Sequence, residues 1–267
     1  MGIRVTTKDR ITHVAIDRPQ ARNAVDPETA SALFQAFLEF DRDSEADTAI
    51  LSGDDTAFCA GFDLKAAASG LSADWLKKHA IPNGWTDPAA HPLPSPMGPA
   101  RLMLSKPVIA AIEGPAVAGG MELALWCDVR ILGASAYFGV FCRRWGVPLI
   151  DGGTVRLGRI VGDGRANDLI LTGRAVDATE ALQIGLANQV VDDGTVLAAA
   201  HAYARNLLRM PQRCMLADRA SARMPAADLA AALSGEWQSA PIILEESIKG
   251  AARFAKGKGR GGDFGDI

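Results

Sequence analysis

Short apolar runs alternate with helix-like segments through the first half of the chain. Apolar residues at 11–17 and 48–52 predict two strands, and residues 27–42 between them carry apolar side chains, including Leu33 and Phe37, at helical spacing. Alternation of this kind is typical of parallel strands that are joined by helices. The pattern therefore predicts a largely buried sheet covered by helices.

The most apolar part of the chain lies between residues 108 and 132. Residues 108–112 are entirely apolar and predict a strand, a Gly-Pro pair follows, and residues 118–126 predict an apolar helix. Residues 129–132 predict the next strand. The sheet is thus expected to continue into the middle of the chain, which makes the fold class α/β.

Beyond residue 152 the pattern becomes mainly helical. One further strand is predicted at residues 187–191. The other apolar patterns predict helices at residues 154–161, 164–171, 178–184, 196–208 and 228–254. We therefore divide the chain into an α/β core, residues 1–195, and a C-terminal helical region, residues 196–267, that ends in a Gly-rich tail.

Residues 66–99 show no clear periodicity, and prolines are concentrated in their second half. We expect a long irregular loop in this segment. Loops of this length often cover a binding site, so this segment is a candidate pocket wall, and a flexible insertion is the alternative.

Composition and charge narrow the classes of function. The chain has 267 residues, of which 48% are hydrophobic and 22% charged, and its formal net charge is −3. This composition is typical of soluble globular proteins, and the charge argues against nucleic-acid and membrane partners. We expect no targeting segment and no membrane span. The four cysteines lack the spacing of a zinc site or a disulfide framework, so a cytoplasmic protein without a metal is expected.

Two glycine-containing turns join predicted strands to predicted helices. The first is FCAGFDLK at residues 58–65, and the second is EGPAVAGGME at residues 113–122. The first turn of a helix presents N–H groups without intrahelical partners, so two such turns that face each other can hold a developing oxyanion. Taken singly, each glycine is explained as well by tight packing.

Six motifs carry a resemblance to a known family. They are RPQARNAVD (18–26), FCAGFDLK (58–65), SKPVIAAIEGPAVAGGMELALWCD (105–128), YFG (137–139), GGTVRLGRIVG (152–162) and ILTGRAVDATEALQIGLANQVV (170–191). In this order and spacing they resemble the crotonase superfamily, the enoyl-CoA hydratase/isomerase proteins, over residues 11–260. The resemblance implies a crotonase-like spiral of ββα units with a C-terminal α-helical trimerisation region. It also implies a homotrimer or homohexamer that acts on an acyl-CoA thioester.

The resemblance also implies roles for individual residues. The backbone N–H groups of Phe62 and Gly119 would form the oxyanion hole for the thioester carbonyl, and Glu122 matches an acid/base glutamate of the hydratases. The residues that would bind coenzyme A or substrate are Arg22, Ala24, Ala60, Asp63, Leu64 and Lys65. Coenzyme A is then part of the substrate, and no separate cofactor is implied. For Arg22 and Lys65 the alternative is a solvated surface charge, and for Glu122 it is a helix cap or a buried ion pair.

The second glutamate of the two-glutamate hydratases is missing. Counting between the YFG and GGT motifs places Cys142 at its position, where we expect an inert thiol that lines the substrate pocket. Asp151 stands immediately before GGT, a position from which dienoyl-CoA isomerases present an acidic group to the acyl chain. It is expected to pair with Glu122 as base and acid, to cap the helix that begins near Thr154, or both.

The expected reaction is hydration of a 2-enoyl-CoA to a 3-hydroxyacyl-CoA through a thioester enolate held in the oxyanion hole. Because double-bond isomerisation needs no activated water, an enoyl-CoA or dienoyl-CoA isomerase is the alternative. A non-catalytic CoA-thioester-binding protein is a further alternative, since Cys142 replaces a carboxylate.

The end of the chain carries basic and aromatic residues. Arg253, Lys256, Lys258 and Arg260 beside Phe254 resemble the family's terminal helix, which can reach a CoA on a neighbouring subunit. A solubilising tail is the alternative.

Overall fold

The main sheet of the protein has six strands in a computed structural model that describes residues 2–259, apart from the side chain of residue 69. The strands in chain order are β1 (Ile3–Lys8), β2 (Ile11–Ile16), β3 (Thr48–Ser52), β4 (Val108–Ile112), β5 (Pro115–Val117), β6 (Val129–Gly133), β7 (Tyr137–Gly139), β8 (Ala175–Asp177) and β9 (Gln189–Val191). The main sheet has the order β1-β2-β3-β4-β6-β9, and β5, β7 and β8 form a smaller sheet. Residues 260–267 of the predicted Gly-rich tail, with Arg260, lie outside the described residues.

The main sheet is parallel except at one edge. β1 pairs antiparallel with β2, whereas the remaining neighbours run parallel. Every residue of β3 and β4 is buried, as expected for strands with helices on both faces. The predicted strands at residues 11–17, 48–52 and 108–112 and the α/β fold class are confirmed.

The helices connect the strands and then continue alone at the C-terminal end. They are α1 (Pro27–Arg42), α2 (Leu64–Gly70), α3 (Ala73–His79), α4 (Gly119–Trp126), α5 (Gly153–Val161), α6 (Asp163–Thr172), α7 (Ala178–Gln183), α8 (Val196–Leu208), α9 (Gln212–Ala222), α10 (Ala226–Trp237) and α11 (Ile248–Ala255). Helix α8 packs on one face of the main sheet, where Val196 and Ala200 are fully buried with Ile50 and Ile109. The domain boundary at residue 195 and the trimerisation role of the later helices stay predictions.

The prediction of one irregular loop at residues 66–99 is wrong. Helices α2 and α3 fill its first part, and each is capped by a side chain that precedes it. Asp63 accepts a hydrogen bond from Lys65 N at 2.9 Å, and Ser72 accepts one from Trp75 N at 3.2 Å. Such caps stabilise short helices. The irregular part is the proline-rich segment that follows α3.

The predicted long helix at residues 228–254 is also wrong. Helix α10 ends at Trp237, a π-helical turn covers Ile243–Ser247, and α11 follows. Pro241 lies in the break, where its missing N–H prevents a continuous helix. Strands β1 and β8 and helix α9 were not predicted, since their short or mostly exposed segments show weak apolar periodicity.

The helices within residues 2–259 do not combine the length and the apolar character that crossing a membrane requires.

Candidate active site

A cavity of about 630 Å³ lies where the two glycine-containing turns meet helices α2, α3 and α11. The cavity is lined by every residue that the sequence predicts for the site. These residues are Arg22, Ala24, Ala60, Phe62, Asp63, Leu64, Lys65, Gly119, Glu122, Cys142 and Asp151. The structure thus brings the predicted residues together, while their individual roles stay predictions.

Backbone pairing holds the two turns side by side. Cys59 N donates to Pro115 O at 3.0 Å, and Val117 N donates to Cys59 O at 3.0 Å, so the first turn pairs in parallel with strand β5. Gly61 has a φ of +93°, and a Cβ at this position would come within 3.0 Å of Gly119 N. Glycine is required here because the two backbones approach so closely.

Phe62 and Gly119, whose backbone N–H groups are the predicted oxyanion donors, line the wall of the cavity. Among the turn and loop hydrogen bonds of residues 2–259, neither nitrogen acts as a donor. Gly119 is the first residue of α4, whose opening N–H groups have no intrahelical partner. The residue before it, Ala118, has a φ of +53°, an uncommon value for a side-chain-bearing residue that directs the turn towards the cavity.

Glu122 lies in the first turn of α4 with only 3% of its surface exposed. Its Oε1 accepts hydrogen bonds from Asp151 N and Gly153 N, both at 2.9 Å. Burial raises the pKa of Glu122 well above its ordinary value, and the charges of Asp151 and Glu236 raise it further, while the two backbone donors oppose the shift. The site therefore favours a protonated Glu122.

Asp151 is equally buried, beside Glu122. Its Oδ1 accepts a hydrogen bond from Met97 N at 2.9 Å. Burial raises the pKa of Asp151, but hydrogen bonds from the Ser95 side chain and Met97 N and the charge of Arg101 favour its ionised form. Two adjacent carboxyl groups whose surroundings differ in this way can share one proton.

The predicted capping role of Asp151 is wrong. Helix α5 begins at Gly153. Its N-cap residue is Gly152, which has no side chain to cap the helix. The Asp151 carboxylate bonds Met97 instead, and only its backbone N–H belongs to the segment that Glu122 holds.

Cys142 lies in a 3-10 helical turn, Phe141–Trp145, on the cavity wall. Burial and the nearby charge of Glu122 raise the pKa of its thiol to about 12. Thiolate chemistry needs a lowered pKa, so Cys142 has the properties expected of an inert pocket-lining residue.

The site includes a glutamate that the sequence did not predict. Glu236 of α10 accepts hydrogen bonds from Gly152 N at 2.6 Å and Thr154 N at 2.9 Å, and from Thr154 Oγ1 at 2.6 Å. Burial raises the pKa of Glu236, and its hydrogen bonds from Thr154 and Gly152 oppose that shift. No motif marks this residue, because its partners lie far away in the chain.

Arg101 was also missed, and it ties α3 to the segment that follows it. Its side chain is 1% exposed, and Nη1 donates to His79 O at 2.8 Å and to Pro94 O at 3.0 Å. The guanidinium lies 4.6 Å from the centre of the Trp237 ring. Arg101 thereby holds α3, with the cavity residue Trp75, against the rest of the site.

The terminal helix contributes to the cavity of its own chain. Phe254 lines the cavity, and its ring centre lies 5.4 Å from that of Trp145. Contact with a CoA on a neighbouring subunit, which the sequence predicts for this region, stays a prediction.

Comparisons with known proteins agree with this geometry. The family described as enoyl-CoA hydratase/isomerase matches residues 6–254. An enoyl-CoA hydratase of Mycobacterium tuberculosis is 38% identical over 70% of this chain and 67% of its own length. A carnitinyl-CoA dehydratase of Salmonella typhi is 32% identical over 96% of this chain and 95% of its own.

A solved structure supports the same assignment. The carnitinyl-CoA hydratase of Mycobacterium avium superposes with a TM-score of 0.78 at 31% identity, covering 96% of each chain. The family match over nearly the whole chain, the similar fold and the paired glycine turns lead to one conclusion. The chain belongs to the enoyl-CoA hydratase/isomerase family of the crotonase superfamily and is an enzyme of that family.

Proposed function

We propose that this enzyme hydrates 2-enoyl-CoA thioesters to 3-hydroxyacyl-CoA products. The observation that carries the proposal is the pair of buried carboxyl groups, Glu122 and Asp151, in one cavity with two backbone N–H groups that have no described protein acceptor. Relatives named enoyl-CoA hydratase and carnitinyl-CoA dehydratase support the same class of reaction.

The thioester carbonyl would bind at Phe62 N and Gly119 N. As water adds to the double bond, negative charge develops on the carbonyl oxygen. Fixed N–H donors stabilise that charge without reorganisation, and losing one such donor in other enzymes costs roughly 10²–10³ in kcat. Gly119 also stands at the N-terminus of α4, where the helix dipole favours negative charge.

The proton transfers would use both carboxyl groups. Ionised Asp151 takes a proton from water while the water oxygen bonds to C3 of the substrate. Protonated Glu122 gives its proton to C2. The substrate gains one water, and proton exchange between the two acids restores the starting state. Burial raises the pKa of both groups, but Ser95, Met97 N and Arg101 oppose the shift at Asp151, so we assign Glu122 as the acid and Asp151 as the base.

The coenzyme A part would lie along the first turn and the segment before α1. Arg22 and Lys65 carry positive charge at the cavity wall, where CoA phosphates would be neutralised, and Ala24 and Leu64 offer apolar contacts. Coenzyme A is then part of the substrate, and the scheme uses no other cofactor. We infer a homotrimer or homohexamer as the assembly, to be measured by light scattering coupled to size-exclusion chromatography.

The proposal is tested by incubating the protein with 2-enoyl, 3-enoyl and dienoyl thioesters of coenzyme A. Products are identified by mass spectrometry and chromatography, with Glu122→Gln and Asp151→Asn as variants and the exposed Glu39→Gln as the matched control. A product heavier by one water, formed by the wild type and the control but lost in both active-site variants, is expected. Acyl-CoA binding without any product would overturn the proposal.

An isomerase is the second candidate, and it rests on Cys142. A buried thiol cannot activate water as a glutamate does, whereas moving a double bond needs only one group, or a pair, to transfer a proton. The same assay separates the candidates, since an isomer has the mass of its substrate.

A further inference from the structure

A carboxylate outside the cavity holds the backbone segment that contains Asp151 and donates hydrogen bonds to Glu122. Backbone N–H groups of four successive residues, 151–154, bond alternately to two glutamates. Asp151 N and Gly153 N donate to Glu122, whereas Gly152 N and Thr154 N donate to Glu236. Residues 151–154 are therefore hydrogen-bonded to two helices, to α4 through Glu122 and to α10 through Glu236.

We propose that Glu236 is a positioning residue of the active site, which fixes residues 151–154 so that Glu122 and Asp151 keep their relative geometry. This inference rests on the proposed function for its kinetic consequence. The cavity lining within residues 2–259 includes Glu122 and Asp151 but not Glu236. Glu236 thus acts on the chemistry only through the segment that it holds.

The local backbone makes such external support necessary. Gly152 has a φ of +87°, and the N-cap position offers no side-chain acceptor to the opening N–H groups of α5. Buried N–H groups without acceptors are costly. Glu236 accepts a hydrogen bond from the N–H of buried Gly152 and one from the N–H of exposed Thr154. The negative charge of a carboxylate is also favourable at a helix N-terminus.

The absence of side chains at Gly152 and Gly153 allows the close contacts of residues 151–154. A Cβ at Gly153 would come within 2.9 Å of Glu122 Oε1, and a Cβ at Gly152 would collide with the Arg156 guanidinium. Arg156 donates to Asp151 O at 3.2 Å and to Ala100 O at 2.7 Å. Displacing the segment would therefore move the Asp151 side chain and the two donors of Glu122 together.

Hydrogen exchange without substrate tests the positioning role directly. We compare the wild type, Glu236→Gln and the matched control Glu245→Gln, an exposed glutamate of the neighbouring turn. Exchange is resolved to single residues by electron-transfer fragmentation. The expected result is faster exchange in Glu236→Gln at Gly152 and Thr154 and also at Asp151 and Gly153, which Glu236 does not touch. Wild-type protection of Asp151 and Gly153 would overturn the proposal, since Glu236 would then be only a helix cap.

Kinetics on the same proteins test the catalytic consequence. Misplaced catalytic groups can lower rates by about 10²-fold, so we expect Glu236→Gln to lower kcat roughly 10- to 100-fold while KM changes little. In an Asp151→Asn background the same change should add almost no further loss, because coupled residues are not additive. An unchanged kcat in folded Glu236→Gln would also overturn the proposal.

The two proposals fail in different ways. A wild type without turnover on the thioester panel contradicts the hydratase proposal, while the exchange result still decides whether Glu236 holds the segment. If Glu236→Gln does not fold, Thr154→Val replaces it, because it removes only the hydroxyl bond to Glu236. That variant should speed exchange at the same four amides to a smaller degree, and unchanged exchange there would overturn the proposal.

Discussion

The backbone N–H of Asp151 donates a hydrogen bond to Oε1 of Glu122 at 2.9 Å. The two candidate acids are thus connected through the main chain of one residue, with both side chains buried. The N–H groups of Asp151 and Gly153, at the start of α5, oppose the upward shift of the Glu122 pKa. The site is better described as one coupled unit than as a base and an acid that act independently.

Replacing Glu122 by Gln should stabilise the protein at high pH. Burial raises the folded-state pKa of Glu122, so ionisation is easier in the unfolded chain, where the value is about 4.3. The wild type therefore loses stability as pH rises from about 4.3 towards the higher folded-state pKa. Gln keeps the acceptor for Asp151 N and Gly153 N without the charge.

Thermal unfolding at a series of pH values checks this expectation. The midpoint of Glu122→Gln should exceed that of the wild type at mildly alkaline pH, and the two midpoints should converge near about pH 4, where the acid is neutral in both states. Glu39→Gln on the exposed face of α1 is the control. A variant that is less stable than the wild type at alkaline pH would contradict the expected sign.

Adjacent glycines at the start of α4 should respond differently to alanine. A Cβ at Gly120 would lie 2.1 Å from the backbone oxygen of Cys59, which cannot move freely, whereas the three atoms nearest to a Cβ at Gly119 all belong to the flexible Met97 side chain. We expect Gly120→Ala to lose about 1–3 kcal/mol of stability or more, as in overpacked cores. Gly119→Ala should stay folded.

The activity of Gly119→Ala should nevertheless fall. Met97 N is the donor that holds Asp151, so displacing Met97 disturbs the carboxylate. Urea unfolding measures the loss of stability expected for Gly120→Ala, and hydration rates measure the loss of activity expected for Gly119→Ala. Both measurements are made on both variants. Equal stability loss in both variants would show that the Met97 side chain is not free to move.

Alkylation should distinguish the buried thiols from the exposed one. Burial raises the pKa of Cys59 and Cys142 to about 12 and also raises that of Cys127, whereas Cys214 is exposed. Iodoacetamide at neutral pH should therefore modify Cys214 alone in the folded protein and all four cysteines after unfolding. Peptide mass spectrometry reads the sites. Rapid modification of Cys142 in the folded protein would restore it as a candidate reactive group.

Asp128 should support stability with the opposite pH dependence from Glu122. Burial opposes its ionisation, but hydrogen bonds and charges from Arg219 and Arg223 hold the pKa of Asp128 below its ordinary value. Its contribution is present above about pH 4 and is lost as pH falls through the lower folded-state value.

The Asp128→Asn variant checks this contribution. It should lose about 1–3 kcal/mol at neutral pH, the usual cost of unsatisfied buried groups, and the difference from the wild type should shrink in acid. Asp168→Asn, at a more exposed ion pair with Arg174, is the control and should have a smaller effect. A difference that grows in acid would contradict the assignment.

Local sequence patterns predicted the parts of the fold that depend on local physics. The run at β4 is apolar throughout and that at β3 is apolar except at its ends, so both strands could be recognised in the sequence. Gly61 and Gly119 could be recognised as well, because they stand where two backbones meet. The extent of α2 and the whole of α3 were missed because the later prolines dominated the pattern, although Asp63 and Ser72 were available as capping signals.

The remaining parts of the site depend on long-range contacts. Glu236 and Arg101 carry no motif. Their roles arise because α10 comes close to the start of α5, and because Arg101 contacts the end of α3 and Trp237 of α10 in the folded chain. The capping role of Asp151 was misjudged for the same reason. The Asp151 carboxylate accepts a hydrogen bond from Met97 N, which belongs to a distant segment of the chain.

The place of Glu236 in the chain has a consequence for the order of folding. Strand β9 ends at Val191 and completes the main sheet, whereas Glu236 is synthesised later, on α10. A nascent chain can therefore pair its strands before the start of α5 has both of its carboxylate supports. The sheet can therefore form first, whereas the geometry that Glu236 supports requires a docked α10.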